Sequence, residues 1–179
     1  MIGAMAGDSR PAVASWVDAD TALSDLYRAH SRSLVRLSTL LLGDTTASED
    51  VVQDAFVKMH GSWRRLRDPE KALAYLRACV VNGARSRHRH LKVARDKAPK
   101  PMPDAASAEH GGLAALDRGA VTAALKTLST RQREAVVLRY YGQLTESEIA
   151  TTMGVSNGAV KSYLHRGMAA LEQKLEPLR

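Results

Sequence analysis

The chain is poor in aromatic residues, at 4%, and carries a single cysteine among its 179 residues. Strands favour aromatic and β-branched side chains, so a chain rich in Ala, Leu and Arg leans towards helix. One cysteine, Cys79, excludes an intramolecular disulfide, and its apolar surroundings in sequence suit a small buried hydrophobe. No membrane-length apolar run is present: Leu34 to Leu42 is too short and is interrupted by Arg36 and Ser38. The first residues lack the apolar core of a secretory signal, so a reduced cytoplasmic protein without membrane insertion is expected. Catalytic signatures are missing too. There is no Gly-rich phosphate loop, nucleophile elbow or HExxH-type motif. His88 and His90 flank Arg89, whose charge opposes a metal, and no carboxylate lies at ligand spacing on that stretch. The expectation is a protein that is no enzyme, with no catalytic residues, no metal and no cofactor.

What is present is positive charge. The net charge is +7 and the pI about 9.8, which points to a polyanionic partner, most simply nucleic acid. Hydrophobic residues make up 45% of the chain, enough for real cores. Residues 1–20 mix Gly, Ala, Ser and Pro without periodicity and read as a flexible leader. A first helical module then spans 21–92. Its first helix is expected from near Thr21 to Leu42, with Leu23, Leu26, Leu34, Leu37 and Leu41 inward and Gly43 at its end. Thr46 with Glu49 reads as a capping box for a helix reaching about His60, and Asp68-Pro69 opens a third that runs into a basic stretch ending near Lys92. From 93 to 112 the pattern collapses into a Pro-rich, then small and polar, linker. A second module, 113–179, starts with a helix to about Leu128, followed by a capping box at Ser129 and Gln132. The fold class is therefore all-α, with two small helical domains on a flexible linker.

The second module ends in a helix-turn-helix. Thr145 and Glu148 form a capping box, Ile149, Ala150 and Met153 face inward, and Gly154 fits the left-handed residue at a tight turn. Ser156 can cap the next helix, on which Val160, Leu164 and Leu171 pack inward while Asn157, Lys161 and His165 share the outer face. Such a unit pushes its second helix into the major groove of DNA.

Charge is segregated in the first module. Asp44 to Met59 carries a net −3, whereas Arg64 to Lys97 holds eleven Lys and Arg against three acids. On the acidic helix Val52, Ala55, Phe56 and Met59 face inward, and Asp50, Gln53, Asp54 and Val57 fall on another side. The plain reading of that stripe is a solvated face; the sharper one is a docking surface for a basic protein. On the basic helix Arg77, Asn82, Arg85 and Arg89 lie broadly along one side, residue types suited to phosphates and base edges. The loop before it, Trp63-Arg-Arg-Leu-Arg67, could hold an unstacked base, although Trp63 reads first as a core anchor at a helix end.

Together these pieces resemble the extracytoplasmic-function sigma factors, the small two-domain class of bacterial sigma factors. The resemblance rests on Leu26-Tyr-Arg-Ala-His30, Glu49-Asp-Val-Val-Gln-Asp-Ala-Phe-Val-Lys58, Ala74-Tyr-Leu-Arg-Ala-Cys-Val-Val-Asn82, Leu128-Ser-Thr-Arg-Gln-Arg-Glu-Ala-Val-Val-Leu-Arg139 and Ser156-Asn-Gly-Ala-Val-Lys-Ser-Tyr-Leu-His-Arg166, in that order. It implies binding to core RNA polymerase, at the β′ clamp helices through Asp50, Gln53, Asp54, Phe56 and Val57, and at the β flap. It implies recognition and opening of a promoter −10 element by Trp63, Arg64, Arg65, Arg67, Arg77, Asn82, Arg85, Ser86 and Arg89. It implies reading of a −35 element by Ser156, Asn157, Lys161, Ser162, His165 and Arg166. Family members are often held by an anti-sigma factor, which makes one a candidate partner, and the free protein is expected to be a monomer. Two positions depart from the family: Ala159 where Thr is common and Tyr163 where Arg is common. Both remove expected phosphate contacts. The rival is a helix-turn-helix regulator that acts without replacing sigma, which would leave the acidic stripe and the basic helix of the first module idle.

Overall fold

The computed structural model describes residues 14–66, 68–97 and 112–175, and every element among them is helical. In chain order these are α1 (Ala14–Leu42), α2 (Thr45–Ser62), two 3-10 turns (Trp63–Arg65 and Pro69–Lys71), α3 (Ala72–Lys97), α4 (Gly112–Thr127), α5 (Thr130–Tyr140), α6 (Glu146–Met153) and α7 (Asn157–Leu175). The fold is all-α, with α6 and α7 as the helix-turn-helix. The segment 98–111, at the heart of the expected linker, and the first thirteen residues of the expected leader lie outside the described residues.

Local signals place most of the boundaries. Ser129 accepts from the Gln132 backbone N–H at 3.4 Å while Gln132 returns its side-chain oxygen to the Ser129 N–H at 3.1 Å. Thr145 and Glu148 form the same reciprocal pair at the head of α6. Gly43, at φ +74°, closes α1 where its N–H reaches the Thr39 carbonyl at 2.7 Å. Three expectations need correction. Helix α1 begins at Ala14, ahead of Thr21, which shortens the leader, and α3 continues to Lys97, past Lys92. The cap of α2 is Asp44, whose carboxylate accepts from the Ala47 N–H at 2.9 Å; Thr46 and Glu49 lie already inside the helix. An ionised carboxylate at that position also faces the positive end of the helix, which a Thr hydroxyl cannot exploit as well.

The inward faces merge into one continuous core. Leu34, Leu37 and Leu41 of α1 meet Val52, Ala55 and Met59 of α2 and Leu76, Val80 and Val81 of α3. Gly83 lets α2 and α3 cross closely: a Cβ there would stand 2.9 Å from Cγ1 of Val51. In the second module Ala135, Val137 and Leu138 of α5 pack with Ile149, Met153 and Val160. The same cluster bridges the modules, because α1 lies against α4 and α5, and α3 against α6. The two modules expected on a tether are thus docked on each other in this structure.

Gly154 sits at φ +66° and ψ 45° with open space around it, so adding a Cβ tests backbone strain alone. Gly154→Ala should lower unfolding free energy by about 1 kcal/mol, read as a fall in the urea midpoint with an unchanged slope.

Candidate nucleic-acid and partner interfaces

Three surfaces carry the residues singled out by sequence. The first is the outer side of α2. Asp50, Gln53 and Asp54 are exposed, and Val57 is 71% exposed, an unusual position for a β-branched hydrophobe. Phe56 is half-buried, its ring edge-on to Tyr27 of α1 with centroids 5.1 Å apart at 66°. Between α1 and α2 lies an open depression of about 500 Å³ that these two rings share with Val57, Leu23, Asp20 and His60. Sequence reasoning missed the contribution of Tyr27, whose 48% exposure is the signal that it does not serve the core alone. Asp50 is not free: Arg87 of α3 approaches it at 3.7 Å, an exposed pair worth little by itself.

The second surface is α3 and the turns before it. Trp63 is half-buried against the core, the anchor role expected first. Arg65 is exposed, whereas Arg67 and the side chain of Arg64 lie outside the described residues. Asn82 and Arg89 are exposed and Ser86 half-buried. Arg85 is the surprise. Its Nε and Nη2 donate to the two carboxylate oxygens of Glu134 in α5, at 2.9 and 2.8 Å, and its Nη1 donates to Asn82 Oδ1 at 3.2 Å. Two parallel charge-assisted bonds of this kind are the strong geometry for a guanidinium. The acid they meet is 2% exposed and also accepts from Arg131 at 3.3 Å. Cys79, on the same helix, is half-buried, and burial pushes its thiol above the ordinary 9.0 against weaker opposing effects of Tyr75 and Lys58. A thiol held protonated in this way packs as a small hydrophobe.

The third surface is α7. Ser156 accepts from the Ala159 N–H at 3.2 Å, capping the helix as its sequence position demands. Asn157, Lys161, His165 and Arg166 are exposed. Lys161 lies 3.8 Å from Glu146, and Arg166 folds back on Ser162, with Nη2 donating to the hydroxyl at 2.7 Å. Tyr163 packs half-buried beside the core, so its bulk serves the helix bundle rather than the outer row.

Behind these surfaces sits Arg133, next to Glu134 and equally unexpected. Although 7% exposed, it donates to four carbonyls: Leu125 at 2.8 Å, Lys126 at 3.1 Å, Leu128 at 3.3 Å and Leu41 at 2.8 Å. The first three lie at or just past the C-terminal end of α4, and Leu41 is the last residue but one of α1, places where helix carbonyls run short of backbone donors. Burial lowers the Arg133 pKa while the Glu134 carboxylate opposes the shift; a guanidinium stays charged regardless. Tyr141 adds a third tie between modules, donating to the Ser33 carbonyl at 3.3 Å.

At the turn motif, the Thr145 backbone N–H and then its hydroxyl hold the Glu148 carboxyl below its ordinary 4.5, with a smaller pull from the charge of Arg77 across on α3. A carboxyl depressed on folding stabilises the fold fully above that ordinary value, and the contribution is lost as pH falls through the folded value.

Against known proteins, the sigma-70 region 2 model matches residues 26–93 and the sigma-70 region 4 model residues 118–171. The chain is 34% identical over 154 residues to the RNA polymerase sigma-E factor of Streptomyces coelicolor, covering 84% of each chain. It is 32% identical over 162 residues to the ECF RNA polymerase sigma factor SigL of Mycobacterium tuberculosis, covering 86% of this chain and 88% of that one. In structure it is similar to the sigma factor RpoE of Bartonella quintana, solved with the anti-sigma factor NepR. That likeness has a TM-score of 0.73 at 22% identity over 90% of this chain and 99% of the other. It is also similar to CnrH, solved with the cytosolic domain of CnrY, with a TM-score of 0.65 at 25% identity over 90% and 96%.

Arg133→Met should cost about 3 kcal/mol of stability, because four carbonyls at helix ends lose their donor together. Equilibrium urea unfolding measures it, and a loss below about 1 kcal/mol would show that water replaces the guanidinium.

Proposed function

The chain belongs to the extracytoplasmic-function sigma factors, and we propose that its two modules divide the promoter reading that the family performs. It is an alternative RNA polymerase sigma factor, and sigma factors bind RNA polymerase and promoter DNA. A helix-turn-helix regulator acting without replacing sigma is not favoured, because regions 2 and 4 both lie in this chain.

The finer assignments rest on one observation: charge is sorted by helix. Exposed acid stands on α2, in a chain of net +7, and exposed base on α3 and α7. Asp50, Gln53 and Asp54, with Val57 and the Tyr27–Phe56 pair beside them, form an acidic rim around an apolar patch. That combination suits the basic side of the β′ clamp helices and repels DNA. On α3, Asn82, Ser86 and Arg89, with Arg77 and Arg85 once released, serve the −10 element, and Arg65 with its neighbours in the basic loop supports the extruded strand. Trp63, buried on one side, frames that loop from the core. On α7, Lys161 and Arg166 take phosphates while Asn157, Ser162 and His165 approach base edges of the −35 element; Ser156 presents the helix start. A further apolar groove of about 360 Å³, lined by Leu40, Val121, Tyr140 and Met168 among others, is where the β flap would rest on the second module.

The work is binding rather than bond chemistry. Polymerase fixes both modules on one template, so two weak DNA contacts act at high effective concentration. Capture of unstacked non-template bases offsets an opening cost of roughly a few kcal/mol. No helix among the described residues is long and apolar enough to cross a membrane, and the protein is proposed to act in the cytoplasm, without an enzymatic site, as a monomer when free. One structural relative was solved with an anti-sigma factor and another with the cytosolic domain of a partner protein, which supports an anti-sigma factor as a partner here.

Asp54→Arg should abolish co-purification with core polymerase while helical content by circular dichroism stays unchanged; retained co-purification would remove the α2 assignment. Lys161→Ala should weaken −35 binding by the holoenzyme at every sequence and reduce the slope of log affinity against log salt by about 1. Run-off transcription by core polymerase with and without this protein tests the whole scheme: promoter-specific transcripts only when it is present support it, and equal transcripts in both would overturn it.

A further inference from the structure

The Arg face of α3 is the place where the proposed −10 contacts and the docking of the two modules compete. Arg85 is spent on Glu134 through both carboxylate oxygens, and only 20% of its side chain reaches solvent. The seam around this pair, lined by Leu41, Ala84, His88, Thr130 and Arg133, leaves about 10 Å³, room for no more than one water. A nucleotide has no access. Helix α6 lies against α3 as well, which brings the carboxylate of Glu148 into the field of Arg77. The second module thus offers α3 what a nucleic acid would offer, anions at spaced positions along a basic helix.

We propose that the chain holds itself closed: Glu134, buried in the second module, occupies Arg85 in place of a DNA phosphate, so the free protein is a self-inhibited DNA binder. This rests on the reading of α3 as the −10 surface. Arg133 and Tyr141 complete the latch by tying α5 to the Leu41 and Ser33 carbonyls of α1. Entry into the polymerase, which fixes the two modules apart on one template, opens the latch and returns Arg85 to the DNA face. Apparent DNA affinity of the free chain is then reduced by the fraction that is open.

The test uses full-length protein without polymerase and a fluorescein-labelled single-stranded DNA oligonucleotide. Donor and acceptor dyes at Glu49→Cys and Ala169→Cys, in a Cys79→Ser background, report the separation of the modules. Glu134→Gln should lengthen that separation and raise DNA affinity about tenfold or more. Glu172→Gln removes the same charge from an exposed site on α7 and should change affinity less than about twofold, with no change in separation. Tyr141→Phe should move both readouts in the direction of Glu134→Gln by a smaller factor, and it decides alone if Glu134→Gln loses helical content. Folded variants with the wild-type separation would overturn the latch. A longer separation with unchanged DNA affinity would overturn self-inhibition by removing α3 as the DNA surface. An equal gain from Glu172→Gln would reduce the effect to net charge.

Discussion

A guanidinium inside a protein must find enough acceptors, and Arg133 finds them where helices run out. The carbonyls at the end of α4 and the Leu41 carbonyl near the end of α1 run short of helical donors, and each helix end carries a partial negative charge. One cation answers both needs at once, across the boundary between modules. Glu134 follows directly in α5, turned about 100° around the helix axis, and faces α3 instead. Helix α5 is therefore keyed at two points to the first module. The placement of α6 and α7, which pack on α5, follows from that keying.

Much of this was legible in the sequence, and the reason is range. Caps at Ser129 and Thr145, the turn at Gly154 and the inward faces of α1, α2 and α6 depend on residues within one or two turns of each other. Thr46 with Glu49 looked like a capping box by the same rule and lost to Asp44, whose charged side chain was already in place two residues earlier. The docking of the modules depends on partners far apart in the chain. Arg85 and Glu134 are separated by 49 positions, Arg133 and Leu41 by 92, and no local period encodes either pairing. A charged dipeptide ahead of the buried run Ala135 to Leu138 was the only hint.

The candidate surfaces follow the same pattern. Exposure of Asp54, Asn82 and His165 agrees with helical spacing alone, since no neighbouring helix draws these side chains into its packing. Arg85 and Tyr163 do not: each is drawn into packing by a neighbouring element. Tyr163 gives its bulk to the helix bundle rather than to the outer row of α7.

Gly83 sets how the first module handles force. With no side chain between α2 and α3 at their crossing, the helices meet at van der Waals contact through Val51. A close-packed joint of this kind has almost no slack. Whatever pulls on the acidic side of α2 would carry the basic side of α3 along as part of the same rigid lever. The relative position of the two faces is then set by the joint, not by the softness of two separate helices.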